Sequence, residues 1–198
     1  MMRKSLLLTP LLLGALSANA WAQRADLYFG MNLFGSENKF DFEAGGYHER
    51  PSIGSKGFAL KFGAVLYNGW RLQGYLLGEY FDEPLFDDTN DELYELGLDV
   101  IKTFDTYTNL YPFIQAGIGS GSMQLDSYYY PHDDSIGEVS LKVGMGLIFR
   151  IAPQLEVMGG VDFQWRTWQD VEYYYPVYNK LSTDDSSVRY YGGFNFLF

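Results

Sequence analysis

The sequence predicts an all-β fold, an eight-stranded antiparallel up-and-down transmembrane β-barrel, and three observations carry that expectation. Aromatic residues make up 18% of the chain and fall in stretches where apolar and polar positions alternate, the period-two signature of a strand. Eight such stretches occur, each near the roughly 9–11 residues that a tilted strand needs to cross hydrocarbon. The connections between them alternate between long and short, as in a meander with all its long loops at one end. Beyond the N-terminal segment no apolar run reaches the roughly 18 residues of a membrane helix, so a helical membrane protein is excluded.

The N-terminal segment "MMRKSLLLTPLLLGALSANAWAQ" has a basic start at Arg3 and Lys4, a short apolar run from Leu6 to Leu16, and Ala18-Asn19-Ala20. These are the parts of a secretory signal peptide, spanning 1–20. Ala20-Trp21-Ala22 offers a second cleavage site after Ala22. A single barrel domain is expected over 21–198. Losing Arg3 and Lys4 takes the formal charge from -11 to -13 (two positive charges removed). No basic patch is left to neutralise phosphates, so nucleic acid is excluded as a partner. The chain has no cysteine, so an exported domain of this size must be held by a core, a closed sheet or a lipid solvent.

The eight expected strands are Asp26–Phe34, Lys56–Tyr67, Trp70–Phe81, Glu92–Phe104, Leu110–Ser122, Ile136–Phe149, Leu155–Thr167 and Val188–Phe198. In the second, Phe58, Leu60, Phe62, Ala64 and Leu66 share one face, with Gly57, Ala59, Lys61, Gly63 and Val65 on the other. Asn68-Gly69 is a two-residue hairpin turn. Short links also lie at Asp105–Asn109 and Arg150–Gln154. Four long polar loops are expected at Gly35–Ser55, Asp82–Asp91, Met123–Ser135 and Trp168–Ser187.

Alternation alone does not say which face is inside, since a soluble barrel would turn its apolar face inward. Three features favour apolar outward. The polar face is rich in glycine (Gly57, Gly63, Gly97, Gly117, Gly119, Gly144, Gly146 and Gly160), which suits the crowded interior of an eight-stranded cylinder. Its charges come in both signs: Lys61, Arg71, Lys142, Arg166 and Arg189 against Glu79, Glu95, Asp99, Glu156 and Asp162. Such a set forms a nearly neutral network in a lumen, whereas buried unpaired charge is prohibitive. Aromatics crowd the ends of the apolar face at Trp70, Tyr80, Tyr94, Trp165 and Tyr190, as at a headgroup girdle. The final stretch "RYYGGFNFLF" then ends with Phe198 on a lipid-facing side.

The pattern "LYPFIQAGIGSG" (Leu110–Gly121), the eight-strand meander after a signal peptide and the terminal Phe198 resemble the small outer-membrane β-barrel proteins of the opacity-protein, OmpX and OmpA-barrel type. The resemblance covers Asp26 to Phe198. It implies the outer membrane of a Gram-negative bacterium, contact with outer-membrane lipid and lipopolysaccharide, and reading of Phe198 by the barrel-assembly machinery. It carries over no catalytic residues, and the periplasmic tethering of full-length OmpA-type proteins is not expected.

Four chemistries compete for the remaining residues. A minority of small barrels modify lipid A, which would need a His base beside a Ser nucleophile and an acid. His48 and His132-Asp133-Asp134-Ser135 supply the residue types but not a His and Ser two apart on one strand face. No catalytic residue is therefore expected. Asp87, Asp88, Asp91 and Glu92 lack the glycine and distal glutamate of a calcium loop, and neither metal nor cofactor is expected. Two tyrosine clusters, Tyr128, Tyr129 and Tyr130, and Tyr173, Tyr174 and Tyr175, are either an extended aromatic girdle or a contact surface for an unidentified extracellular ligand. A lumen filled by ionic side chains should not pass solutes freely. The expectation is a monomer with a structural or adhesion-like role; a narrow porin-like ion channel and a lipid A-modifying enzyme are the alternatives.

Overall fold

The computed structural model describes residues 26–44, 47–86, 91–125, 135–174 and 178–198. Ten strands form in chain order: β1 (Asp26–Ala44), β2 (Tyr47–Glu49), β3 (Ser52–Val65), β4 (Trp70–Phe81), β5 (Glu92–Thr103), β6 (Leu110–Gln124), β7 (Ser135–Ala152), β8 (Leu155–Trp168), β9 (Val171–Tyr174) and β10 (Tyr178–Leu197). All pairings are antiparallel, and from β3 to β8 each strand pairs with the next in the chain, while β1 pairs with β2 and β3, and β10 with β8 and β9. β1 and β10 close the cylinder in continuous register from Tyr28↔Leu197 to Ala44↔Leu181. Closure removes the open edges that hydrocarbon would leave unsatisfied.

The barrel has eight strands because two of the ten segments are continuations. β2 carries on β3 in the same register, Lys39↔Ser52 becoming Phe42↔Glu49. Pro51, with no amide to give the ladder, interrupts the run. β9 carries on β8 past Gln169 and Asp170 with a one-residue slip, Asp184↔Thr167 becoming Leu181↔Val171.

At one end the connections are short. Asn68 (φ 58°) and Gly69 (φ 72°) turn β3 into β4, the left-handed pair that a type I′ turn requires. The other end corrects two sequence expectations. Gly35–Ser55 and Trp168–Ser187 are not long loops. β1 runs on to Ala44 and β10 begins at Tyr178, and with β2 and β9 they build a four-stranded wall in the order β9-β10-β1-β2. Around the rest of the rim, pairing stops at Ser55↔Phe81, Tyr80↔Glu92, Gln124↔Ser135 and Glu138↔Trp168.

The reason those strands were hidden lies in β1. Leu27, Phe29 and Leu33 point outward and are exposed, and Asn32 and Asn38 share the inner face. Beyond Gly35 the polarity reverses: Glu37, Lys39 and Glu43 are outside, while Phe40 is buried and Phe42 half-buried inside. The alternation never stops; its sign changes. An apolar belt therefore surrounds the short-turn half, with Phe62, Leu76, Leu96, Ile118, Leu141 and Phe163 all exposed. So large an exposed apolar surface is a lipid face. Above the belt the core moves indoors, where Phe40, Ile53, Phe81, Phe86, Leu93, Met123, Leu125, Ile136, Trp168 and Val171 pack as one cluster.

We predict that Phe40→Ala lowers the folded barrel's stability in lipid vesicles by about 3–5 kcal/mol. The neighbouring, water-facing Lys39→Ala should change it by less than about 0.5 kcal/mol. Urea titration of both variants checks this; equal, negligible changes would mean that 35–55 is a loop.

Candidate functional site: an ionic lumen beneath an apolar cap

Alternation along each belt strand sends every second side chain into a cylinder too narrow for bulk water. Glycines make the large polar groups fit. A Cβ on Gly97 would lie 2.3 Å from the Tyr75 hydroxyl, and one on Gly144 would lie 1.9 Å from Asp162 Oδ1. The ten lumen residues expected from the sequence, Lys61, Arg71, Glu79, Glu95, Asp99, Lys142, Glu156, Asp162, Arg166 and Arg189, are all buried inside.

They form three layers. Nearest the short turns, Arg71 grips Glu156 through two hydrogen bonds of 2.6 and 3.0 Å. Arg150, half-exposed at the rim, adds a third at 2.7 Å. This planar two-point geometry is what guanidinium offers and ammonium does not. In the middle layer Lys142 Nζ lies 3.0 Å from Asp99 Oδ1 and 3.7 Å from the Tyr75 ring centre. Gln73 and Gln115 donate to Asp99 (2.8 Å) and Asp162 (2.6 Å). Lys61 donates to Asn32 Oδ1 at 2.6 Å and forms no ion pair among the described residues. A cavity of about 30 Å³ between these groups has room for about two or three water molecules.

The upper layer is the tightest. Glu79 and Arg166 are wholly buried and directly paired, and Arg189 Nη2 reaches the same carboxylate oxygen at 3.1 Å. Ser55 and Ser36 donate to the other oxygen of Glu79 at 2.5 and 3.1 Å. Arg166 also lies 3.8 Å from Glu95 and 3.6 Å from Asp185. Gln164 and Ser140 donate to Glu95 at 3.0 and 3.1 Å. Trp168 donates its indole N–H to Asp185 at 2.8 Å, which ties the network to the apolar cap above it.

Two lumen acids are additions to the sequence-derived set: Glu138 and Asp185 are buried there as well. Five cations therefore face seven carboxylates rather than five, with Arg150 at the rim offsetting one. Glu138 shares the inward parity of Ser140 and Lys142, so β7 alone could have revealed it. Asp185 sat in a presumed loop and became readable only when β10 was seen to extend to Tyr178. The Glu138 carboxylate accepts no hydrogen bond among the described residues.

Outside, the belt ends in the expected aromatics. Trp70, Tyr94, Trp165 and Tyr190 are exposed, Tyr80 is half-exposed, and Phe198 is exposed on the lipid side. The Phe198 amide donates to the Leu27 carbonyl at 2.9 Å, which pins the chain end into the closure seam.

The other candidates do not converge. Tyr128, Tyr129, Tyr130, Tyr175, His132, Asp133, Asp134, Asp87 and Asp88 lie outside the described residues. Tyr173 and Tyr174 fall in β9, in the wall rather than in a loop. Ser135 opens β7 and His48 lies in β2. Four strand steps separate these two positions in either direction around the closed sheet, so no His–Ser pair forms between them. His48 instead stands 3.7 Å from Glu43 and 4.0 Å from Asp41 on the exposed hairpin. Among the described residues no group of three or more metal-ligating side chains occurs. At the β8–β9 slip, hydrogen bonds from Lys180 and Ser182 hold the Asp170 carboxyl below its ordinary range.

Replacing Arg166 with Met should cost about 3–5 kcal/mol, because Glu79 is left buried and undercompensated. Adding Glu79→Gln should recover part of that loss. A double-mutant cycle by urea unfolding in vesicles measures the coupling; strictly additive losses would show that the two side chains do not meet.

No family model matches the chain, and no curated protein matches it in sequence. Solved structures do match. Neisserial surface protein A superposes with a TM-score of 0.60 at 15% identity, covering 89% of this chain and 100% of the other. The outer membrane protein OprG from Pseudomonas aeruginosa gives a TM-score of 0.52 at 13% identity, covering 88% and 97%. At such identities the likeness concerns the fold: a closed eight-stranded antiparallel barrel of the outer-membrane kind.

Proposed function

We propose that this protein resides in the outer membrane and works there as a structural, surface-interacting barrel rather than as a transporter or an enzyme. One observation carries the reading: the lumen is closed twice. The Glu79–Arg166–Arg189 layer fills the belt, and the Phe40–Trp168 cluster fills the mouth above it. With the interior shut, the parts left to do work are the outer surface and the raised wall. That wall displays Glu37, Lys39, Glu43, His48 and Arg50 to water. Short turns face the periplasm and long hairpins the exterior in barrels of this kind, so the wall is the extracellular face. Lipopolysaccharide and an extracellular macromolecule are the partners proposed for it, with the assembly machinery acting on Phe198 during biogenesis. The barrel is proposed to work as a monomer. No cofactor is assigned.

Binding of the folded barrel to lipopolysaccharide and to matrix proteins should fall at least several-fold when 126–134 and 175–177 are shortened. Equal binding by the two forms, measured on immobilised protein, would remove the surface role.

A second reading, a narrow ion channel, is favoured by one feature. Arg166 stands within 4.0 Å of Glu79, Glu95 and Asp185, so it has alternative partners if the layer rearranges. Planar-bilayer recordings separate the two readings. The sealed-lumen reading expects no stable conductance from the wild type, and a steady open level would establish the channel.

A further inference from the structure

The belt is not uniformly smooth. An apolar groove of about 470 Å³ runs up the lipid face across β4 to β8, walled by Trp70, Val100, Ile114, Val143, Met145 and Phe163. Its floor is Ala116, which the register sets between Val100 and Val143. A methyl there, flanked along β6 by the exposed Ile114 and Ile118, leaves a dent that longer side chains surround. At the short-turn end the groove meets a second pocket of about 620 Å³, lined by Asn68, Asp105, Tyr111 and Arg150 among others. Lys102 belongs to both.

The placement of Lys102 is unusual for a belt residue. It faces outward beside Trp70 and Ile114 on the neighbouring strands. Its ammonium lies 5.3 Å from the Trp70 ring centre and donates to the Asn68 carbonyl. That leaves donor capacity unused, and Lys102 forms no ion pair among the described residues. Lys39, Lys56 and Lys180 are exposed too, but they stand at the opposite end. A cation at this depth, between a greasy groove and a wet pocket, is complementary to one kind of molecule, an anionic head carrying an acyl chain.

We propose that this compound groove is a binding site for a glycerophospholipid of the periplasmic leaflet. An acyl chain lies along Ala116 and Phe163, and the phosphate is held by Lys102 with the Trp70 ring beside it. The headgroup enters the rim pocket, where the Asp105 carboxylate, one of its lining groups, receives an amine. The groove volume falls within the roughly 300–1,000 Å³ usual for small-molecule sites. The inference does not depend on what the extracellular wall binds.

Native mass spectrometry of the folded barrel, released from detergent in the presence of phosphatidylethanolamine, tests it. The wild type should retain one lipid per barrel. Lys102→Gln should lower retention by about tenfold, the scale expected for losing a charge-assisted hydrogen bond. Ala116→Ile, which fills the dent without touching any charge, should lower it comparably. Lys56→Gln, at the other end of the belt, should leave it unchanged. Unchanged electrophoretic heat-modifiability confirms that each variant is folded. Retention equal to wild type in both Lys102→Gln and Ala116→Ile would overturn the site, as would an equal loss in Lys56→Gln. Phosphatidylglycerol retained as well as phosphatidylethanolamine, together with no effect of Asp105→Asn, would overturn the amine assignment.

Discussion

Each strand of this barrel passes through two solvents, and side-chain polarity has to invert where hydrocarbon gives way to water. Within the belt the outer face must be apolar because lipid cannot solvate anything else, and the inner face takes whatever polar groups the chain carries. Above the belt the outer face meets water, so the apolar set moves inside and becomes an ordinary core. β1 shows both regimes in one element, with Leu33 outside at one level and Phe40 inside seven residues later. The ionic lumen and the apolar cap are two consequences of that single boundary.

The boundary also explains how the lumen tolerates so many ionisable groups. Removing charges from water is costly, and pairing repays this only with good geometry and further hydrogen bonds. Here that support is dense. Glu79 accepts from two arginines and two serines, and Glu156 from Arg71 and Arg150. Glycine on adjacent strands opens the space in which these side chains lie. The cap then closes the top of the network, with Trp168 hydrogen-bonded below to Asp185 and packed against Phe86.

Much of the architecture was legible in the chain. Period-two alternation marked the belt strands, Asn68-Gly69 marked a hairpin, and opposite charges on one face marked the lumen, because each of these signals is local. The wall was not legible in the same way. Phe40 and Phe42 alternate as clearly as Phe58 and Leu60 do, but with opposite sense, and the polar residues between them resembled a loop. Asp185 was lost for the same reason. Glu138 could have been read from its parity with Lys142.

By itself the sequence determined the strand count, the up-and-down order and the identity of most lumen charges, because alternation and turn chemistry are properties of neighbouring residues. Only the tertiary structure decided which charges meet. Arg71 and Glu156 are 85 residues apart and Arg166 and Glu79 are 87 apart, so these pairs exist only once the sheet has curled and closed. Pairing between adjacent strands, by contrast, sets Lys102 beside Trp70 and places Ala116 between Val100 and Val143 at the floor of a groove. Neighbours across a cylinder are fixed by register and shear, which no local pattern encodes.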